Sequence, residues 1–261
     1  MNKNTTQIER YALFLFLILT PLLATVMILY LTLPPAAVVF MAACLPALLA
    51  VLLTALADGR KGVAALLQKL IQWRIGLKWY VIALGLPLAI HLTIGALALL
   101  LGWIPTIHVR PWSPAQLILG VLILIWAILE ELGWRGFALP RLLANRSALF
   151  SALVIGSFWG IFHIGLGIMD NRALIPTFLV PFGFSVILTW LFIHTRGSLV
   201  GVILCHFGFN YFVLFEEGMT LTQILWLEAA VTLSMAFILL IIFGPHLRRE
   251  PMRMPELVDQ I

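Results

Sequence analysis

Leu117-Ile118-Leu119-Gly120-Val121-Leu122-Ile123-Leu124-Ile125-Trp126-Ala127-Ile128-Leu129-Glu130-Glu131-Leu132-Gly133-Trp134-Arg135-Gly136 is the stretch whose reading decides the class of this chain. The run from Leu117 to Leu129 has no polar break, and two adjacent carboxylates then follow it. One acid at the centre of a membrane helix costs roughly 2.5–3.5 kcal/mol on insertion scales, so ionisable groups inside a span point to function. On a helix Glu131 and Arg135 are four apart and share a face, so they can pair. Glu130 points about 100° away and has no local partner. This asymmetry suggests that Arg135 holds Glu131 while Glu130 is left for chemistry. A plainer reading is that both acids mark the end of the span and sit in water.

Of the 261 residues, 62% are hydrophobic and 10% charged, which excludes an ordinary soluble domain. A helix needs about 20 apolar residues to cross the ~30 Å hydrocarbon layer. Eight blocks meet that need: 11–33, 35–57, 79–103, 113–139, 148–169, 177–195, 197–215 and 222–243. The expected fold is all-α, a polytopic bundle of about eight transmembrane helices in a single integral membrane domain over 1–261. The first block is too long for a signal-peptide core and no small-residue cleavage site follows it, so it is expected to remain as an anchor. Cys44 and Cys205 fall inside different spans, which argues against a disulfide framework.

The net charge of +5 does not indicate nucleic acid, because its distribution follows the membrane. Lys3 and Arg10, the cluster Arg60, Lys61, Lys69, Arg74 and Lys78, then Arg135, Arg141, Arg146 and Arg196, and finally Arg248, Arg249 and Arg253 all fall on one set of alternate loops. Only Arg110 and Arg172, of 16 Lys and Arg, fall on the other set. The positive-inside rule then places both termini in the cytoplasm of a multi-pass cell-membrane protein. Between Asp58 and Trp79, Val63, Leu66, Leu67, Leu70, Ile71 and Ile75 recur at helical spacing among basic residues, as in an amphipathic helix lying in the inner interface.

Further polar residues mark the later spans. Glu130 lies ten residues before the breaker Pro140, roughly 15 Å into the span at 1.5 Å per residue. His163 follows Trp159 on a glycine-rich span and is deeper still, so tilt or a longer inner extension is needed for the two to meet. His206 and Asn210 are four apart on one face of the seventh block. They form either a structural hydrogen-bonded pair or half of a site. His91, beside Pro87, is read as satisfied by freed backbone carbonyls. His108 and His194 are read as solvated, and Glu228 as interfacial or paired within the bundle.

Taken together, Glu130-Glu131-x-x-x-Arg135, a histidine on the next span and His206-x-x-x-Asn210 two spans later resemble the CPBP (Abi) family, the type II CAAX prenyl endopeptidases and bacteriocin-processing proteins. The resemblance covers about 113–215. Where that family usually has phenylalanine four before the histidine, this chain has Trp159, which keeps an aromatic and alters the pocket's shape. The resemblance implies an intramembrane site that hydrolyses a peptide bond in a membrane-associated, in some cases lipidated, protein or peptide. Glu130, helped by His163, would serve as base for water. His206 and Asn210 would stabilise the oxyanion, and Glu131 with Arg135 would hold the helix end. A metal variant is open, with Glu130, His163 and His206 as a His₂Glu zinc set. Asn210 is a poor zinc partner and a good oxyanion donor, which favours the metal-free route. Two other classes remain: a non-catalytic immunity or scaffold protein with these residues as a polar core, and a transporter with a proton relay, although no repeat halves are visible.

Overall fold

The structure, a computed structural model, describes residues 3–107, 113–213 and 218–248, with side chains described from residue 11 onward. His108, Arg110, Glu216, Glu217 and the tail beyond Arg248 lie outside the described residues, as do the side chains of Lys3 and Arg10. The chain runs α1 (Lys3–Tyr30), α2 (Pro35–Gln68), α3 (Leu77–Leu100), α4 (Pro114–Glu131), a π-helical segment (Leu132–Ala138), α5 (Leu139–Leu143), α6 (Ala148–Met169), α7 (Leu174–His194), α8 (Leu199–Tyr211) and α9 (Leu221–Phe243). Among the described residues, seven helical spans are long and apolar enough to cross a membrane, and α8 is a shorter apolar helix beside them.

Local sequence sets several of these boundaries. Ser113 and Gln116 form a capping box at the start of α4, and Thr220 and Gln223 form another at the start of α9. Ser147 and Ser198 cap α6 and α8 through their side chains. Glycines allow the interior helices to touch. A Cβ on Gly156 would lie 2.9 Å from the Phe182 carbonyl oxygen, so α6 and α7 meet backbone to backbone. α7 is the most enclosed of the spans, with most of its residues buried. It is therefore the central post of the bundle.

Two expectations change in the structure. The seventh block was read as a span over 197–215, but its helix has only 13 residues, about 20 Å at 1.5 Å per residue. α8 is thus buried inside the bundle without crossing the full layer alone. The amphipathic stretch was read as a helix over 58–79. It is instead the end of α2, set off by a break at Gly59 (φ 65°, ψ −162°) and finished by a short 3₁₀ turn at Lys69–Ile71. Glycine tolerates that left-handed φ, which lets the chain turn as it leaves the membrane. Trp73, expected as an interfacial anchor, is exposed, while Trp79, expected in the same role, is half-buried against Trp190 and His194.

The loops gather at two ends. At one end Leu149 N–H donates to the Pro245 carbonyl, Ser198 Oγ to the Gln72 carbonyl, and Arg141 pairs with Asp58 at 2.5 Å. At the other end the last turns of α1 and α6 meet at Ile28 and Gly165, and Gly218 approaches Ile104.

Candidate active site

The site is built where the α4 hydrogen-bond ladder widens. All seven residues of the π-helical segment are buried, and such wide turns occur often at functional positions. Gly133 lets this segment press on α2, since a Cβ there would lie 2.7 Å from the Pro46 carbonyl oxygen. Pro140 withholds an N–H from the Gly136 carbonyl, and Lys69 Nζ reaches that oxygen at 3.5 Å.

Glu131 and Arg135 pair as their spacing predicts, Nη1 to Oε1 at 2.8 Å, with both side chains fully buried. The same Oε1 also accepts from His206 Nδ1 at 2.8 Å. A carboxylate only accepts, so the His206 proton sits on Nδ1 and the other ring nitrogen, Nε2, turns away from Glu131. Glu131 is therefore a joint between α4, the π segment and α8, a role that its spacing to Arg135 did not reveal.

Glu130 keeps 8% of its surface exposed where Glu131 keeps none, so of the two carboxylates only Glu130 reaches the edge of the packed core. Its Oε2 accepts from Trp159 Nε1 at 2.7 Å. This bond resolves the depth mismatch, because α6 meets Glu130 through Trp159, one turn below His163. Trp159 organises the rest of the cluster as well. The Arg135 guanidinium lies 4.3 Å from its ring centroid, and the rings of His163 and His206 meet it edge-on at 5.5 and 5.3 Å. His163 Nδ1 donates to the Trp159 carbonyl at 2.9 Å, which leaves its Nε2 pointing away from the helix.

His163, His206 and Asn210 line one cavity of about 260 Å³, with Trp159 and Phe184 in its wall. Asn210 is exposed on the cavity side, one turn beyond His206 on α8. The structure thus brings together all seven residues singled out in the sequence. It adds Glu228, read there as interfacial or paired, which is 7% exposed and lines the same cavity. The sequence signal for Glu228 was an acid inside the last span. His91 lies apart from the site: it donates to the Phe209 carbonyl at 2.7 Å, one of the carbonyls that α8 leaves open at its end. His194, read as solvated, instead packs among the rings of Trp79, Trp190 and Phe243.

Among the described residues no three His, Cys, Asp or Glu side chains converge as a metal site. Oε2 of Glu130 is committed to Trp159, and Nδ1 of each histidine is committed to another acceptor. Those bonds leave Oε1 of Glu130 and Nε2 of each histidine as the atoms that would hold an ion, but the three side chains do not converge on one point in this arrangement, and no step below passes through a metal.

Fold and site together define a multi-pass helical membrane protein that holds a carboxylate–histidine cluster against a cavity inside its bundle. Residues 111–212 are similar to the family described as Type II CAAX prenyl endopeptidase Rce1-like. A relative, CAAX prenyl protease 2 of Methanococcus maripaludis, is 30% identical over 115 residues, covering 39% of this chain and 41% of the relative. The match therefore spans less than half of either protein.

Proposed function

We propose that this chain is an intramembrane endopeptidase that hydrolyses a peptide bond in a membrane-associated protein or peptide. The observation that carries the proposal is the exposure difference between the two carboxylates. Glu130 keeps 8% of its surface exposed and is bonded to Trp159 in the wall of a cavity that His163, His206 and Asn210 also line, while Glu131 is sealed. In the reaction Glu130 takes a proton from water, with the Trp159 N–H orienting its carboxylate and His163 sharing the water. The resulting hydroxide adds to the scissile carbonyl carbon. Asn210 donates to the developing oxyanion, joined by His206 Nε2 when the Glu131 carboxylate supports the imidazolium. The proton on Glu130 then passes to the leaving amine as the C–N bond breaks.

The test compares peptides released from membranes that carry the parent protein with those from membranes carrying Glu130→Gln. The variant should lose all product while eluting as a folded species. Asn210→Ala should retain some activity, with turnover lower by roughly 10²–10³ for one lost oxyanion donor and little change in KM. Full activity in Glu130→Gln would refute its role as base and favour the non-catalytic reading. Activity lost on chelation and restored by zinc would make His206 a ligand instead of an oxyanion donor.

A further inference from the structure

α3 and α8 meet where glycine permits close approach. A Cβ on Gly208 would lie 2.7 Å from Pro87 Cγ, so the absence of one lets the proline turn of α3 rest on α8. One turn further along α3, His91 is fully buried and its Nε2 donates to the Phe209 carbonyl at 2.7 Å. A carbonyl only accepts, so Nε2 carries the proton. The last four carbonyls of a helix have no partner within it. α8 ends at Tyr211, the Phe212 N–H takes the Gly208 carbonyl, and His91 takes the next one.

The peptide group that His91 holds is the one that leads into Asn210. Asn210 is exposed on the last turn of α8, so its position follows from the backbone beneath it more than from neighbours packed around it. His206, one turn earlier, is held by Glu131 instead. The Phe209 ring extends the support from α3. It stacks on Phe184 at 4.3 Å and meets the His91 ring at 5.2 Å, and Phe184 in turn faces the His206 ring at 6.2 Å. The two polar residues of α8 thus have separate anchors: Glu131 on α4 for His206, and His91 on α3 for the turn that carries Asn210.

We propose that His91 is a positioning residue for Asn210: its bond to the Phe209 carbonyl fixes the last turn of α8 and so aims the Asn210 amide into the cavity. The role in catalysis rests on the endopeptidase reading; the bond itself does not. A misplacement of about 1 Å costs up to about 10²-fold in rate. Displacing one oxyanion donor costs no more than removing it, roughly 10²–10³. Loss of the His91 bond should therefore lower turnover roughly tenfold to hundredfold.

The test reads the bond and the turnover separately. Phe209-Asn210 is the one Phe-Asn step in the chain. Protein labelled with carbonyl-¹³C phenylalanine and ¹⁵N asparagine therefore shows this single peptide group in a carbonyl–amide correlation spectrum. His91→Phe keeps a ring against Phe209 and removes the donor, so the Phe209 carbonyl resonance should move upfield. His91→Gln, whose amide nitrogen falls near the position of Nε2, should return the resonance toward the parent and rescue turnover. If His91→Phe fails to fold, His91→Asn, too short to reach the carbonyl, takes its place. Turnover should fall in His91→Phe with little change in KM, and in an Asn210→Ala background the same substitution should add no further loss. A resonance that stays in place would overturn the bond whether or not the protein is a protease. A shifted resonance with unchanged turnover, or with an equal further loss in the Asn210→Ala background, would overturn the positioning role. A shifted resonance in a parent that gives no Glu130-dependent product would refute the endopeptidase reading and leave only the His91 bond standing.

Discussion

Glu131→Gln should act on stability before chemistry. Arg135 is fully buried and Glu131 is its one salt-bridge partner among the described residues, at 2.8 Å. Glutamine preserves the shape but removes the counter-charge, leaving a guanidinium with no carboxylate bound to it. Breaking a buried pair from one side costs about 3–5 kcal/mol. At roughly 2–4 °C per kcal/mol for a chain of this size, the melting temperature should fall by about 10 °C. The assay is thermal unfolding of detergent-purified protein, run on Glu131→Gln, Arg135→Met and the double variant. If the loss comes from an uncompensated charge, the double variant should recover much of it, because replacing a buried pair by apolar groups is often neutral. Glu130→Gln should melt close to the parent, since it leaves the Glu131–Arg135 pair intact. A Glu131→Gln variant melting within about 2 °C of the parent, with activity lost to the same degree as in Glu130→Gln, would refute the division of labour between the acids.

Two further outcomes are expected. Trp159→Phe keeps a ring under Arg135 but deletes the donor to Glu130; hydrogen bonds to charged groups contribute about 1.5–3 kcal/mol, so turnover should fall roughly tenfold to hundredfold. Steady-state kinetics on the released peptide would check this, and unchanged turnover would remove Trp159 from the mechanism. Gly133→Ala forces a Cβ to within 2.7 Å of Pro46 backbone atoms, and overpacking of this kind destabilises by about 1–3 kcal/mol. Gly85→Ala, with nothing within 4 Å, is the matched control and should not lower the melting temperature.

Hydropathy made the class of this protein legible from sequence alone, because whether a helix can cross a bilayer depends on its own apolar length and on little else. The Glu131–Arg135 pair was legible for the same reason: a spacing of four is a property of one helix. The identities of Glu130, His163, His206 and Asn210 as candidates were legible because polar residues inside apolar spans stand out. Their connections were not. The bond from Trp159 to Glu130 joins residues 29 apart, and that from His206 to Glu131 joins residues 75 apart. Periodicity within a helix carries no information about which face of a distant helix it meets. For the same reason only the packing assigned Trp159 to both carboxylate and histidine, brought Glu228 into the cavity wall and confined α8 to 13 residues. The widening of the ladder at Leu132–Ala138 also depends on tertiary structure. There α2 presses on Gly133 from one side while Leu66 and Leu199 close over Gly136, contacts that no local propensity encodes.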